Sequence, residues 1–411
     1  MHILWLKTEL LHPVDKGGRI RTYHMLKELK RRHRITYLTL DDGAAPDSAY
    51  SDASQYCHEL ICVPHRQAGK FTRAFYRELA FNAFSMLPYF IEKYRSCEMQ
   101  KCVSALLREK SVDLTVCDFL NPSVNWPPDA TCPAVLFQHN VEALIWKRHY
   151  EVQKNIFKKA YFFDQWRKTR NYEKKACGRF DQVIAVSKED REIIKREYGI
   201  HKVSDIPTGV DTEYFVSSRQ VAPERNHLVF TGSMDWLPND DAMRFFAEAI
   251  FPKIRRVVPN ARLTVVGRNP LPQLVEMSRY DPLITVVGRV DDVRPYMERA
   301  SVYVIPLRIG GGTRLKVYEA MAMGMPIVST HVGAEGLPVR DREHLLLADS
   351  PEDFASCVIQ LMSNGEEAQA LGLRAAATAR TEFGWKHVVE QFSLLCQETI
   401  EAHRHSVGSR S

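Results

Sequence analysis

Between Ile309 and Thr330 the chain reads IGGGTRLKVYEAMAMGMPIVST, where three glycines, two basic residues and a glutamate crowd the start of an Ala/Met-rich helix. Gly310, Gly311 and Gly312, with Thr313 behind them, can present bare backbone N–H groups. Arg314 and Lys316 add fixed positive charge, and the helix that follows aims the positive end of its dipole at the same place. Such a cradle suits an anion, and a diphosphate is the expected guest. Glu319 would repel a phosphate that it faced, so it is expected to accept hydrogen bonds from sugar or ribose hydroxyls beside the phosphates.

Other candidates stand where a strand gives way to a helix. Gly17 and Gly18 follow the first apolar run and precede a helix with Met25, Leu26 and Leu29 on one face, either as a ligand-facing turn or as a plain βα connection. The fingerprint GxGxxG is absent, which disfavours a dinucleotide cofactor. His139, in FQHNVEALIW, comes just after an expected strand and is read as a functional residue. Asp118, at the equivalent point of the neighbouring strand, either touches an acceptor or caps a helix. Gly232 and Ser233 in FTGSMDWLPNDD can offer amides to phosphate, with Asn239 or Asp240 capping a helix that begins near Asp240. Arg268 and Arg289 follow glycines in VVGRNP and VVGRVDD, suited to a nucleobase edge or a phosphate, or else to surface ion pairs. The Asp pairs 41/42, 240/241 and 291/292 fall where caps and turns are expected and have no evident third ligand, so no metal site is expected.

Short apolar runs alternate with longer amphipathic stretches, the pattern of parallel sheets covered by helices. His2–Leu6, Ile35–Leu40, Leu60–Val63, Leu114–Val116, Ala134–Phe137 and Gln182–Val186 are expected strands of one domain. Leu228–Thr231, Arg262–Val266, Ile284–Val287, Val302–Ile305, Pro326–Ser329 and His344–Leu347 are those of a second. The expected fold is α/β, with two Rossmann-like, doubly wound domains facing each other across a cleft. Residues 1–210 form the first, residues 211–384 the second, with Ile206–Asp211 and the polar run Ser217–Asn226 as the join. Residues 385–403 carry apolar side chains at helical spacing and should close back on the first domain, and 404–411 should be disordered.

At 411 residues, 45% hydrophobic and 26% charged, the composition is that of a soluble globular protein of two domains. No apolar stretch approaches the roughly 18 to 20 residues of a membrane span, and MHILWLK is charged too soon for a signal peptide, so a cytoplasmic location is expected. The nine cysteines show no metal-binding spacing and are expected to be reduced thiols in cores. The net charge of +6 is concentrated in residues 147–179, which hold eleven Lys/Arg against three Asp/Glu among many aromatics. That segment suits peripheral contact with an anionic membrane at the inner face of the plasma membrane, or a solvated helix with its aromatic side in a core; nucleic acid is not expected.

With these pieces in order, the chain resembles the family 4 glycosyltransferases of GT-B architecture over nearly its whole length. The resemblance rests on KGGRIRTYHML, FQHNVE, DQVIAVSKEDREII followed by IPTGVDTEYF, FTGSMDW, ITVVGRVDDVRPYMERASVYVIPL, GGTRLKVYEAMAMGMPIVST and the late FGW. LPYFIEKY, FQHNVEA and GGTRLK are wording shared with bacterial exopolysaccharide-associated sugar transferases. The resemblance implies a retaining hexosyltransferase without a metal or other cofactor, moving a sugar from a nucleotide diphosphate donor to a hydroxyl acceptor on a glycan or lipid-linked intermediate. It implies that Glu319 holds the donor ribose, that Gly17 and Gly18 lie near the diphosphate, and that His139 contacts the transferred sugar. The first glutamate of the family's Glu-x7-Glu motif is replaced by Gly311. The Arg and Lys that usually follow the first carboxyl-domain strand are replaced in GSMDWLPN, so Arg314 and Lys316 are expected to supply the charge. A nucleotide-sugar epimerase and a catalytically silent partner subunit are the alternatives.

Overall fold

A computed structural model describes residues 1–15, 17–69, 71–218, 222–234, 236–270, 272–309 and 314–408. The chain divides into two compact units, 1–207 together with 389–411, and 208–388.

The first unit is built on seven strands: β1 (His2–Lys7), β2 (Arg34–Asp41), β3 (Glu59–Pro64), β4 (Leu114–Asp118), β5 (Ala134–Phe137), β6 (Gln182–Ala185) and β7 (Val203–Asp205). They lie in the order β3-β2-β1-β4-β5-β6-β7, all parallel, with β1 paired to both β2 (His2 opposite Arg34) and β4 (Ile3 opposite Leu114). Helices cover both faces, so central strands need apolar side chains in both directions. Every residue of β1 and β4 is accordingly buried. The order reverses direction beside β1 and β4, and the carboxyl ends of those two strands are where an open sheet of this type presents a crevice.

The second unit has six parallel strands: β8 (Glu224–Thr231), β9 (Arg262–Val266), β10 (Ile284–Gly288), β11 (Ala300–Ile305), β12 (Ile327–Ser329) and β13 (Leu346–Leu347), in the order β10-β9-β8-β11-β12-β13. The helix Leu315–Ala322 packs Val317, Tyr318, Ala320, Met321 and Ala322 inward, leaving Lys316 and Glu319 half-buried on its open side. It ends at Gly324, where φ is +68°, and the helix Gly365–Glu382 crosses that end with Gly372 against it. A methyl group at Gly372 would lie 2.0 Å from the Gly324 carbonyl oxygen.

Three expectations are corrected. The polar run at Ser217–Asn226 is not all linker, because Glu224, Arg225 and Asn226 open β8, where the Glu224 carboxylate holds Arg262 and Arg299 at 2.8 and 2.7 Å. The last helix, Trp385–Gly408, extends beyond the boundary expected at 403. The His403 ring anchors it, with Nδ1 2.9 Å from Asp181 and Nε2 2.9 Å from the Thr131 carbonyl, so the final turn continues where disorder was expected. Along the same helix Phe392 packs on Trp5 and Phe137, at ring distances of 5.8 and 5.4 Å. The cysteines are free thiols, and Cys97 is exposed rather than in a core.

Gly372→Ala should lower unfolding free energy by about 1–3 kcal/mol, because the new methyl meets backbone and cannot rotate away. Urea denaturation measures this, and an unchanged midpoint would show that the two helix ends have room to part.

Candidate active site

In the first unit, the carboxyl ends of β1, β4 and β5 converge on one carboxylate. Asp118 is fully buried. Its Oδ2 accepts from Lys7 Nζ at 2.7 Å, Thr22 Oγ1 at 2.6 Å and Trp5 Nε1 at 3.1 Å, while Oδ1 lies 2.7 Å from His139 Nε2. Burial alone would raise the Asp118 pKa, but the Lys7 ammonium and His139 outweigh it and hold the carboxyl well below its usual range. Burial lowers Lys7 against the opposing pull of Asp118. Burial also pushes His139 down to about 3, again against Asp118. An ionised carboxylate only accepts, so neutral His139 carries its proton on Nε2 and keeps Nδ1 as an acceptor.

The histidine ring is fixed by packing as well. Phe119 stacks on it at 3.6 Å, itself at φ +75°, and a Cβ at Gly18 would come within 2.8 Å of that phenyl ring. Gly18 therefore lets the start of the helix Gly17–Leu29 close over Phe119, which brings Gly18 and His139 against one ring, while Gly17 is exposed. Asp118, read from the sequence as an acceptor contact or a cap, is neither: it is sealed behind His139 and orients it. Lys7, Trp5 and Thr22 were not singled out in the sequence. The one available signal was a lysine ending an otherwise apolar strand.

In the second unit, the carboxyl ends of β8 and β9 approach so closely that a Cβ at Gly267 would sit 1.7 Å from the Gly232 carbonyl oxygen. A Cβ at Gly232 would fall 2.7 Å from Lys316 Nζ and 2.8 Å from Asn239 Nδ2. Lys316 reaches into this spot over the Phe230 ring at 4.1 Å and donates to Asn239 Oδ1 at 2.7 Å. Asn239 donates in turn to the Ser233 carbonyl at 2.8 Å, and Arg268 Nε donates to Ser233 Oγ at 2.8 Å. Asn239 does not cap its helix as expected. Pro238 is favoured in a first turn, so the helix starts at Leu237 with Trp236 before it, and Asn239 lies inside, where its amide ties Lys316 to the Ser233 turn.

Glu319 lies one turn beyond Lys316 on the same face. Burial lifts Glu319 to about 7, with Lys316 opposing, and burial lowers Lys316 to about 7, with Glu319 opposing and Arg314 reinforcing the drop. Arg314 is 3% exposed and turned inward, with Nε donating to the Val332 carbonyl at 3.3 Å and Nη2 3.9 Å from Glu335. It therefore acts on Lys316 through its field. Arg289 is exposed after the edge strand β10 and joins none of these contacts among the described residues. Gly311, Gly312 and Thr313 lie outside the described residues. The second unit thus brings together Gly232, Ser233, Arg268, Lys316 and Glu319: two cations and a carboxylate at the carboxyl ends of parallel strands. Asp241 pairs with Arg308, Asp292 with Arg294 and Asp240 with Arg244, while Asp41 accepts from Gly43 and Tyr50.

Comparison with known proteins gives the following likenesses. The model described as Glycosyltransferase Family 4 matches residues 16–214, and that described as Glycosyl transferases group 1 matches 225–364. An "Uncharacterized 44.6 kDa protein in cps region" of Klebsiella pneumoniae is 24% identical over 259 residues, covering 61% of this chain and 65% of its own. For this relative and for a D-inositol 3-phosphate glycosyltransferase of Rhodococcus opacus, the alignments span 65% and 53% of the relative's own length. Among solved structures, the sucrose-phosphate synthase of Thermosynechococcus elongatus superposes with a TM-score of 0.70 at 18% identity, over 98% of this chain and all of that one. Anabaena Alr3699/HepE in complex with UDP does so with a TM-score of 0.68 at 13% identity, over 97% of this chain and 100% of that one. At these identities the structural matches establish the fold.

Asp118→Asn should destabilise the protein by about 3–5 kcal/mol at pH 7, since it leaves the Lys7 ammonium buried without its counter-charge. The depressed Asp118 pKa contributes stability above the ordinary carboxylate range, lost as pH falls through the folded value. His139 works in the same direction, gaining its proton only on unfolding as pH drops from about 6.5 toward 3. Denaturant titration at pH 7 checks the first statement, and a loss below about 1 kcal/mol would contradict it.

Proposed function

The chain belongs to the family 4 glycosyltransferases of GT-B architecture, and from that membership we propose that it is a hexosyltransferase drawing on a nucleotide diphosphate sugar. The observation that carries the reading is Lys316, brought to the ends of β8 and β9 beside Gly232, with Glu319 one turn behind it. A leaving diphosphate gains negative charge as the sugar departs, and a preorganised ammonium in a half-dry site stabilises that charge without reorganisation. Lys316 serves this purpose, and the Ser233 turn, held by Asn239 and Arg268, orients the phosphates. Glu319 accepts from the ribose hydroxyls. HepE crystallised with UDP and with UDP-glucose supports a uridine diphosphate sugar as the first donor to try.

The transfer is retaining and metal-independent in this reading: the family resemblance supports retention, and Lys316 offers the positive charge that a divalent ion supplies elsewhere. The acceptor is a hydroxyl on a glycan or lipid-linked intermediate of cell-surface or exopolysaccharide synthesis, made in the cytoplasm, with residues 147–179 against the anionic inner face of the membrane. The relative from a cps region supports that setting. His139, neutral with its proton turned toward Asp118, positions sugar or acceptor and does not exchange protons near neutral pH.

Lys316→Ala should reduce transfer and nucleotide affinity each by about tenfold or more, the equivalent of one charge-assisted hydrogen bond of ~1.5–3 kcal/mol. His139→Ala should depress turnover more than donor affinity. Steady-state kinetics with titration calorimetry distinguishes these, and wild-type behaviour in Lys316→Ala would remove the phosphate assignment. Affinity should fall as pH rises above about 7, because the diphosphate needs protonated Lys316 and is repelled by ionised Glu319. A flat profile from about pH 6 to about pH 9, spanning those values, would contradict that. Incubation of donor without acceptor separates transfer from epimerisation.

A further inference from the structure

The first unit leaves large apolar side chains in solvent on two segments. Phe71, Phe81, Phe84 and Met86 are 78, 69, 91 and 81% exposed, and Ile156 and Phe157 are 75 and 83% exposed. Single exposed apolar residues are ordinary, but a concentration of this kind marks a surface that meets something. Both segments are held by one helix, Ile156–Cys177. Ile156 and Phe157 open it. The other segment is tied to its middle: Gln165 Nε2 donates to Asn82 Oδ1 at 3.0 Å, Lys168 Nζ to the Asn82 carbonyl at 2.8 Å, and Tyr89 N to Gln165 Oε1 at 2.8 Å. Phe75 packs edge-on to Tyr89 at 5.7 Å, which fixes the helix Arg73–Asn82 beside that anchor.

The basic helix pair Glu142–Val152 and Ile156–Cys177 does bury aromatic side chains, with Tyr150 stacked on Trp166 at 5.8 Å and Trp146 against Phe162 at 6.1 Å. Phe157 and the 71–86 group remain outside that packing. The charges beside them have one predominant sign: Arg73 and Arg77 on one segment, Lys154 and Lys158 on the other, all exposed. The acids nearby are engaged, Glu78 accepting from Tyr89 Oη at 2.8 Å and Glu151 lying 3.7 Å from Lys147. Exposed Phe and Met flanked by Arg and Lys fit the boundary between headgroups and acyl chains of an anionic bilayer, where rings insert and cations meet phosphates.

We propose that residues 71–86 and 152–158 together form a membrane-docking surface that inserts aromatic side chains into an anionic bilayer. This deepens the transferase reading by adding the apolar segment 71–86 to the basic one, and it rests on that reading only for its purpose, access to a lipid-linked acceptor. No helix among the described residues is long and apolar enough to cross a membrane, so the attachment is peripheral and reversible.

The test is co-sedimentation of the full chain with phosphatidylcholine vesicles, with and without phosphatidylglycerol, in the absence of donor. Binding should be at least about tenfold tighter with phosphatidylglycerol. Phe84→Ser with Phe157→Ser should lower it by about tenfold or more on both vesicle types, and Lys154→Glu with Lys158→Glu should remove the preference for phosphatidylglycerol. UDP affinity of both variants should match the wild type, so a failure of docking and a failure of the transferase reading give different results. Wild-type protein that stays in solution with phosphatidylglycerol vesicles overturns the proposal. So does unchanged vesicle binding by the Phe84/Phe157 variant, or concentration-dependent self-association that this variant abolishes without any vesicle binding by the wild type.

Discussion

A lysine ammonium taken half out of water, with a neutral amide as its hydrogen-bonded partner, is the constraint on which the second domain is organised. Lys316 is held over Phe230 and against Asn239, in a space that exists because Gly232 has no side chain. Removing a cation from water is unfavourable unless something compensates, and here the result is a pKa lowered by burial to about 7. Glu319 is displaced in the opposite sense to the same value. In the proposed reading, an anion bearing hydroxyls restores a charge to one of these groups and supplies hydrogen-bond donors to the other.

The first domain meets the related problem of a buried charge in a different way. Lys7 and Asp118 neutralise each other almost completely inside the sheet, and the pair is saturated by Thr22, Trp5 and His139. A closed network of that kind contributes rigidity and orientation. Its product is a histidine clamped by Phe119, with its tautomer set by Asp118 and kept neutral near pH 7 by burial. The second domain holds its lysine on a neutral amide, while the first consumes its charge in scaffolding.

Much of this architecture was legible in the sequence, for a definite reason. Twelve strands were read from apolar runs because parallel strands are buried on both faces, and such runs survive without any tertiary information. The strand that escaped, β7, is Val203–Asp205, an edge strand with one buried residue and no run to detect. At the sites, residue types pointed to strand-to-helix turns, and the structure places Gly18 and His139 against one Phe119 ring and Gly232 beside Lys316. Partners across the sheet were not legible. Lys7 and Asp118 are separated by 111 residues, and Asn239 and Lys316 by 77. Arg314 is a further case: its direction depends on Val332 and Glu335, which sequence spacing does not place.

The central claim is that Lys316 is held largely unprotonated above neutral pH and takes up its proton when a diphosphate binds. Calorimetric titration of UDP, repeated at pH 8 in buffers of different ionisation enthalpy, measures the protons exchanged directly. The account predicts uptake of roughly one proton per nucleotide bound, lost in Lys316→Met. Tight binding by the wild type with no proton uptake would contradict it.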